Sequence, residues 1–456
     1  DMNGDGLAEV VVGGPDFYTG SGQGRAWVMF GNSVMSTALE PAGISLGYAG
    51  SGSVYFNGSK GVSVAGTALA SKNKLGTALV AGDLNGDGLA DLLAGAPVYA
   101  GGANLAHATL LFGGNTGTFG SVTDASLSGP SGTGGGRWMY SYSGSGALGK
   151  SVGQSMAIGN INGDGVDDAV VGIPDYAYSN GRVAVVLGVD EGTGSSFPSV
   201  LTNMAAGQGA LVQGYTNLIT TVGNPPAQPF TVYHDKATQL GKVVTTGDMN
   251  HGGRDDVIFS AKFTRDYTSY IVSGSVSGSG SYNGDRVFIV FGESLTFGSG
   301  AQSLSTLGSN VAKVELPANT TVTALHAGVD INGDGYKDLI IGVKAAGFQA
   351  EYYTQVVAYV VFGGPNLGGQ TISAFDMASS QGFVVTAPAT YQADSHALWA
   401  HVSVASGDVN GDGVPDVILG LEGYSYSGST QFNDGKVYII FGIDPGATFP
   451  EYVPQA

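Results

Sequence analysis

Apolar residues in this chain come in short runs that return in a fixed cycle. One set comprises residues 10–12, 92–94, 169–171, 257–259, 339–341 and 417–419. These runs are too short for helices and rich in β-branched residues, which predicts buried strands. A second set follows 15 to 35 residues later and ends in Phe-Gly or a near equivalent: 26–31, 109–113, 183–188, 287–292, 356–363 and 437–442. A third, weaker strand is expected at segments such as 311–315 and 382–386, and a fourth at segments such as 75–82 and 240–247. Four strands per repeat, joined by short turns, make an antiparallel meander, and meanders repeated about an axis make a β-propeller. The expected fold is therefore all-β. It is a β-propeller of four-stranded antiparallel blades with six repeats visible, six- or seven-bladed when closed, occupying residues 1–456 as one domain. No strand precedes Asp1 and little chain follows Gly442, so the strands at the seam are expected to be incomplete.

Between the strands the chain writes one polar sentence six times. The clearest copy is Asp83-Leu-Asn-Gly-Asp-Gly-Leu-Ala-Asp91, and the copies begin at Asp1, Asp83, Asn160, Asp248, Asp330 and Asp408. Oxygen donors fall at the first, third, fifth and ninth positions, and the seventh offers its carbonyl. Ca2+ takes six to eight such oxygens, and glycine at position six permits the tight wrap. A plain hairpin turn needs only one Asn-Gly or Asp-Gly pair. Three carboxylates within nine residues repel one another unless a cation lies among them. The expected ligands are Asp1, Asn3, Asp5, Leu7 and Glu9; Asp83, Asn85, Asp87, Leu89 and Asp91; Asn160, Asn162, Asp164, Val166 and Asp168; Asp330, Asn332, Asp334, Tyr336 and Asp338; and Asp408, Asn410, Asp412, Val414 and Asp416.

The copies are not equal. The first closes on Glu9, one methylene longer than Asp, and the third opens on Asn160, which forfeits a charge. In the fourth, Asp248-Met-Asn-His-Gly-Gly-Arg-Asp-Asp256, the fifth-position acid is replaced by Gly252, and Arg254 stands close by. The donors left there are Asp248, Asn250 and Asp256, a weak or empty site. About five Ca2+ per chain are expected, with a sixth site degenerate.

Composition sharpens this picture at three points. The chain has 78 glycines, 12% charged residues and 43% apolar residues, the profile of a turn-rich globular β protein. Its formal charge of −19 argues against nucleic acid and anionic membranes as partners. There is no cysteine, so bound metal takes over the stapling role that disulfides often play outside cells. No apolar run approaches a membrane span.

The nine-residue loop, the Gly95-Ala96-Pro97 that follows it and the Phe112-Gly113 pair together resemble the FG-GAP repeat family, known from the integrin α-subunit propeller and from bacterial surface proteins. The resemblance covers nearly the whole chain. It implies that each loop joins the first and second strands of a blade on the lower face, with ligands matching position by position in the second, fifth and sixth copies. The turns between the second and third strands then belong on the upper face. They carry Tyr18, Tyr99, Tyr176, Tyr178, Tyr267, Tyr270, Tyr352, Tyr353, Tyr424 and Tyr426 among Gly, Ser and Asn. Tyr with Ser and Gly is the mixture that binding loops use, which makes this face the expected recognition surface for a protein or glycan ligand. Rings of this kind also serve simply to pack turns against neighbouring blades.

Catalysis finds no support in the sequence: the six histidines are scattered over different repeats and no nucleophile motif accompanies them. The expected role is an extracellular, calcium-stabilised, non-catalytic adhesion or recognition module. The alternatives are a structural subunit of a surface layer, sheath or filament built from copies of the chain, and the scaffold domain of a larger secreted enzyme.

Overall fold

The computed structural model describes residues 1–17, 24–31, 61–65, 74–97, 106–114, 122–123, 136–139, 151–176, 181–190, 197, 201, 208–222, 230–270, 276–297, 301–344, 354–388, 390–392, 395–397, 401–422, 435–443 and 452–454. Strands dominate these residues, and the fold is all-β with propeller-type blades. Among them no helix is long and apolar enough to cross a membrane. The chain forms two compact units, one of Asp1–Val212 with Thr296–Ala301 and the other of Gln213–Leu295 with Gln302–Ala456.

The first unit holds three sheets. Val10–Gly14, Arg25–Met29 and Gly61–Ala65 form one antiparallel sheet. Leu79–Gly82, Asp91–Ala96, His107–Leu111 and Gly136–Met139 form the second. Met156–Gly159, Asp168–Ile173, Arg182–Val186 and Gly209–Gln213 form the third. The strand after each of the second and third loops is buried along its whole length, which is why it reads as an unbroken apolar run rather than an alternating one.

The second unit repeats the plan. Val244–Gly247, Asp256–Tyr270, Val276–Val290 and Val311–Glu315 make the fourth sheet, and Thr321–Val329, Asp338–Lys344, Thr354–Val361 and Gly382–Pro388 make the fifth. The sixth contains His401–Gly407, Asp416–Glu422 and Lys436–Ile440. In five sheets the first strand runs into the loop and the second leaves it, as the repeat pattern predicts; the first sheet begins at the strand after its loop.

Two features depart from a plain meander. Short parallel strands reach back to the outer edge of the preceding sheet: Val122–Thr123 onto Gly61–Ala65, Thr371–Ser373 onto Val311–Glu315 and Tyr452–Pro454 onto Gly382–Pro388. Each covers a row of backbone groups that would otherwise stay open to other chains. The fourth sheet also carries a 15-residue hairpin pair, Asp256–Tyr270 against Val276–Val290, whose far end pairs with Phe230–Thr238, itself paired with Tyr215–Val222.

No sheet owns a core. Buried side chains collect between neighbours, as where Leu93, Ala108 and Leu110 of the second sheet meet Met156, Ala169 and Val171 of the third. The same holds between first and second, fourth and fifth, and fifth and sixth sheets. Each repeat is thus stable only when stacked.

Candidate metal centre at the repeat loops

Each loop is wound around its own first residue. In the second loop Asp83 Oδ1 accepts from the Gly86 and Asp87 amides at 2.7 and 3.2 Å, and Oδ2 accepts from Gly88 at 2.8 Å. Asn85 Oδ1 accepts from the Asp87 amide, Asn85 Nδ2 donates to Asp87 Oδ2 at 3.0 Å, and Asp87 Oδ1 accepts from Leu89 at 2.8 Å. The turn depends on glycines at positions four and six, Gly86 at φ 72° and Gly88 at φ 81°. The first and sixth loops reproduce this set bond for bond. The third and fifth keep most of it, around Asn160 and Asp330. The first, third and fifth side chains thereby turn their oxygens into one short arc. A carboxylate that accepts two or three N–H bonds still has a lone pair to offer.

The ninth position does something the spacing does not reveal. Asp91, Asp168, Asp256, Asp338 and Asp416 are all 0% exposed. One oxygen accepts from the amide at loop position two, and the other from the glycine two residues past the end of the third strand. For Asp91 these donors are Leu84 at 2.9 Å and Gly113 at 2.8 Å. Equivalent pairs hold Asp168, Asp256, Asp338 and Asp416. Burial pushes the carboxyls of Asp91, Asp168 and Asp338 up to about 7 and that of Asp256 to about 8, against the opposing pull of the backbone donors. The Phe-Gly glycine is part of this construction: a Cβ on Gly113 would sit 2.8 Å from both the Ala90 carbonyl oxygen and Leu89 Cβ.

The first loop closes differently. Asp1, Asp5 and Glu9 bring one oxygen each within 4.8 Å of one another, the one such three-carboxylate group among the described residues. Glu9 accepts from the Met2 amide through Oε2 at 2.6 Å, while Oε1 is buried with no hydrogen-bond partner. Its side chain is 2% exposed. In the second, fifth and sixth loops the ninth carboxylate is drawn instead toward its backbone donors.

In the fourth loop Asp248 still accepts from Gly252 and Gly253, and Asn250 from Gly252. His251 takes position four at φ 60°, where the other copies have glycine, and its ring rests on the fifth loop, with Nδ1 3.1 Å from the Gly335 carbonyl and the Tyr336 ring 5.7 Å away. Arg254 forms no ion pair with Asp248 or Asp256.

Loops of neighbouring repeats are clasped through main-chain atoms. The Asp1 carbonyl accepts from Ala90 and that of Asp83 from Asp167, at 2.9 and 3.0 Å. The second-position carbonyls of Met2, Leu84, Met249 and Ile331 accept from Gly114, Val189, Gly364 and Ile443. The second-position side chains Met2, Leu84, Met249 and Ile331 are buried in the clusters shared with the next sheet, whereas Val409 in the sixth loop is 51% exposed. An apolar residue at position two of every copy is the sequence signal for this plug.

Of the tyrosines expected on a recognition face, Tyr18, Tyr99, Tyr178, Tyr352, Tyr353, Tyr424 and Tyr426 lie outside the described residues. Tyr176 is half-buried, packs against the core between the second and third sheets, and has the Arg182 guanidinium 3.9 Å from its ring centre. Tyr267 and Tyr270 are not in a turn. They lie in Asp256–Tyr270, opposite Tyr233 and Phe230, because alternating Thr, Ser and Tyr extend the hairpin where composition suggested a loop.

Residues 1–29, 75–108, 152–186, 321–360 and 402–440 match the FG-GAP repeat family. These spans hold every loop but the fourth. Integrin alpha pat-2 of Caenorhabditis elegans is 25% identical over 284 residues, covering 59% of this chain and 18% of that protein. Phosphatidylinositol-glycan-specific phospholipase D of Bos taurus is 25% identical over 236 residues, covering 52% of this chain and 25% of that protein. The chain thus spans about a quarter or less of the length of these relatives. A biofilm matrix protein of V. cholerae aligns over 80% of this chain and 69% of that one at 11% identity, with a TM-score of 0.25, a superposition too loose to carry an argument.

Proposed function

Since the chain belongs to the FG-GAP repeat family, with integrin-α-like relatives, we propose that it is a calcium-held recognition module of the cell exterior, non-catalytic in itself. One observation carries the metal part: Glu9 Oε1, buried and unpartnered, in the loop where Asp1, Asp5 and Glu9 converge. A buried carboxylate oxygen without a partner costs about 1–3 kcal/mol or more, and a divalent cation removes that cost. The donor set is all oxygen, the choice of a hard cation such as Ca2+. The ion supplies the positive charge that lets these carboxylates sit together; the residues supply its shape. Asp1, Asn3, Asp5 and Glu9 with the Leu7 carbonyl would hold it in the first loop, and their counterparts in the second, third, fifth and sixth.

With the loops committed to stability, recognition falls to other surfaces, for a protein or glycan ligand. The test is a pull-down from extracellular protein together with a glycan array, each run in millimolar Ca2+ and in chelator. Calcium-dependent capture of a defined ligand is expected; blank results in both conditions defeat the recognition role. The similarity to the phospholipase D favours a second reading, in which the chain is the scaffold domain of a larger secreted enzyme.

A further inference from the structure

Alternate residues of each third strand, with the phenylalanine just past it, form the face on which the next sheet is laid. In the second sheet these are Ala108, Leu110 and Phe112, in the cluster shared with the third. In the fifth they are Ala358, Val360 and Phe362, in the cluster shared with the sixth, and none of the six is more than 8% exposed. The register carries the same face into the sixth sheet: Ile340 pairs with Val360, and Ile418, at the same place after its loop, pairs with Ile439. Here the face consists of Val437, Ile439 and Phe441, which are 69%, 43% and 55% exposed. Val409, whose counterpart Ile331 is a buried plug, is also bare at 51%. The sixth sheet keeps the chemistry of a receiving face, and no sheet among the described residues covers it. The opposite face, the one laid on the preceding sheet, is carried by the residue after the ninth loop position. Leu92, Leu339 and Val417 stand there, at most 1% exposed, in the clusters shared with the preceding sheets. The first sheet has Val10 at this place, 50% exposed, while the adjacent Val11 packs toward the second sheet.

We propose that the sixth sheet of one copy receives the first sheet of a second copy, so that the protein self-associates head to tail. The occupant is a sheet of this chain because the bare face repeats one that such sheets already fill between four pairs of neighbours. Val10 offers the matching half of that contact. A contact between two unlike faces leaves one of each free on the pair, so assembly continues past the dimer. The named residues of both faces are uncharged, and the chain's formal charge of −19 opposes approach at longer range. About 0.15 M salt, which screens charges beyond about 8 Å, should therefore favour assembly. Sedimentation velocity of the whole protein in that salt with millimolar Ca2+ is expected to show species larger than a dimer that grow with concentration. Val437→Asp and Val10→Asp, both at exposed positions and checked for folding by circular dichroism, should each run as a monomer. Mixed in equal amounts they should give one new species of dimer mass, since each supplies the face the other lacks. Ile439→Asp should behave as Val437→Asp does, which keeps the test alive if the latter folds poorly. A wild type that stops at the dimer, assembly that survives either substitution, or a mixture that stays monomeric overturns the proposal. A monomeric wild type overturns it as well. Maleimide labelling of Val437→Cys, the chain's sole cysteine, then reads whether the face is covered from within one chain (slow) or left bare (fast).

Discussion

Asp91 shows how much of a side chain's role lies outside its spacing in the sequence. The spacing of the acids reads as a cation cage, and in the structure the side chains at positions one, three and five accept from amides of their own loop. What the sequence could not display is that the ninth acid also joins two distant amides, Leu84 and Gly113, because a backbone donor has no letter of its own. Asp91→Asn replaces one acceptor oxygen by an amide nitrogen that must face an N–H group, at a site with 0% exposure. The expected cost is about 1–3 kcal/mol. It should appear as a lower urea midpoint with an unchanged slope, measured in chelator so that metal affinity does not enter.

At the scale of elements, the cycle of apolar runs located the strands around the loops well, because strands buried on both faces have little else to be. Two kinds of element escaped it. The short parallel strands, such as Val122–Thr123, carry too few residues for any periodicity. The outer half of Asp256–Tyr270 has the polar composition of a turn and is held extended by its partners Phe230–Thr238 and Val276–Val290. The plug at loop position two gives a direct test of how repeats are joined. Leu84→Ala empties a fully buried site between the second and third sheets and should destabilise by about 2–5 kcal/mol. Val409→Ala, at a plug position 51% exposed, should stay within about 0.5 kcal/mol. Comparable losses at the two positions would show that the plug has no special part in stacking.

For the molecule as a whole, a formal charge of −19 without a single disulfide makes the folded state answerable to its counter-ions. Each ion bound only to the folded form stabilises it by mass action, about 2.7 kcal/mol when free calcium is 100 times the dissociation constant. Calorimetric melting in millimolar Ca2+ and again after chelation should therefore show a large fall in Tm; an unchanged melt would mean that the loops hold without metal. The clasps between neighbouring loops add a different property. Their donors stand on Ala90, Asp167, Gly114, Val189, Gly364 and Ile443, a set with no side-chain chemistry in common, because the bond belongs to the main chain. Such seams are indifferent to most mutations. Proline alone is barred from donating, and it occupies the eighth place of the sixth loop at Pro415. A tandem array joined in this way can diversify its surface copy by copy over evolutionary time while the hinge between copies stays the same.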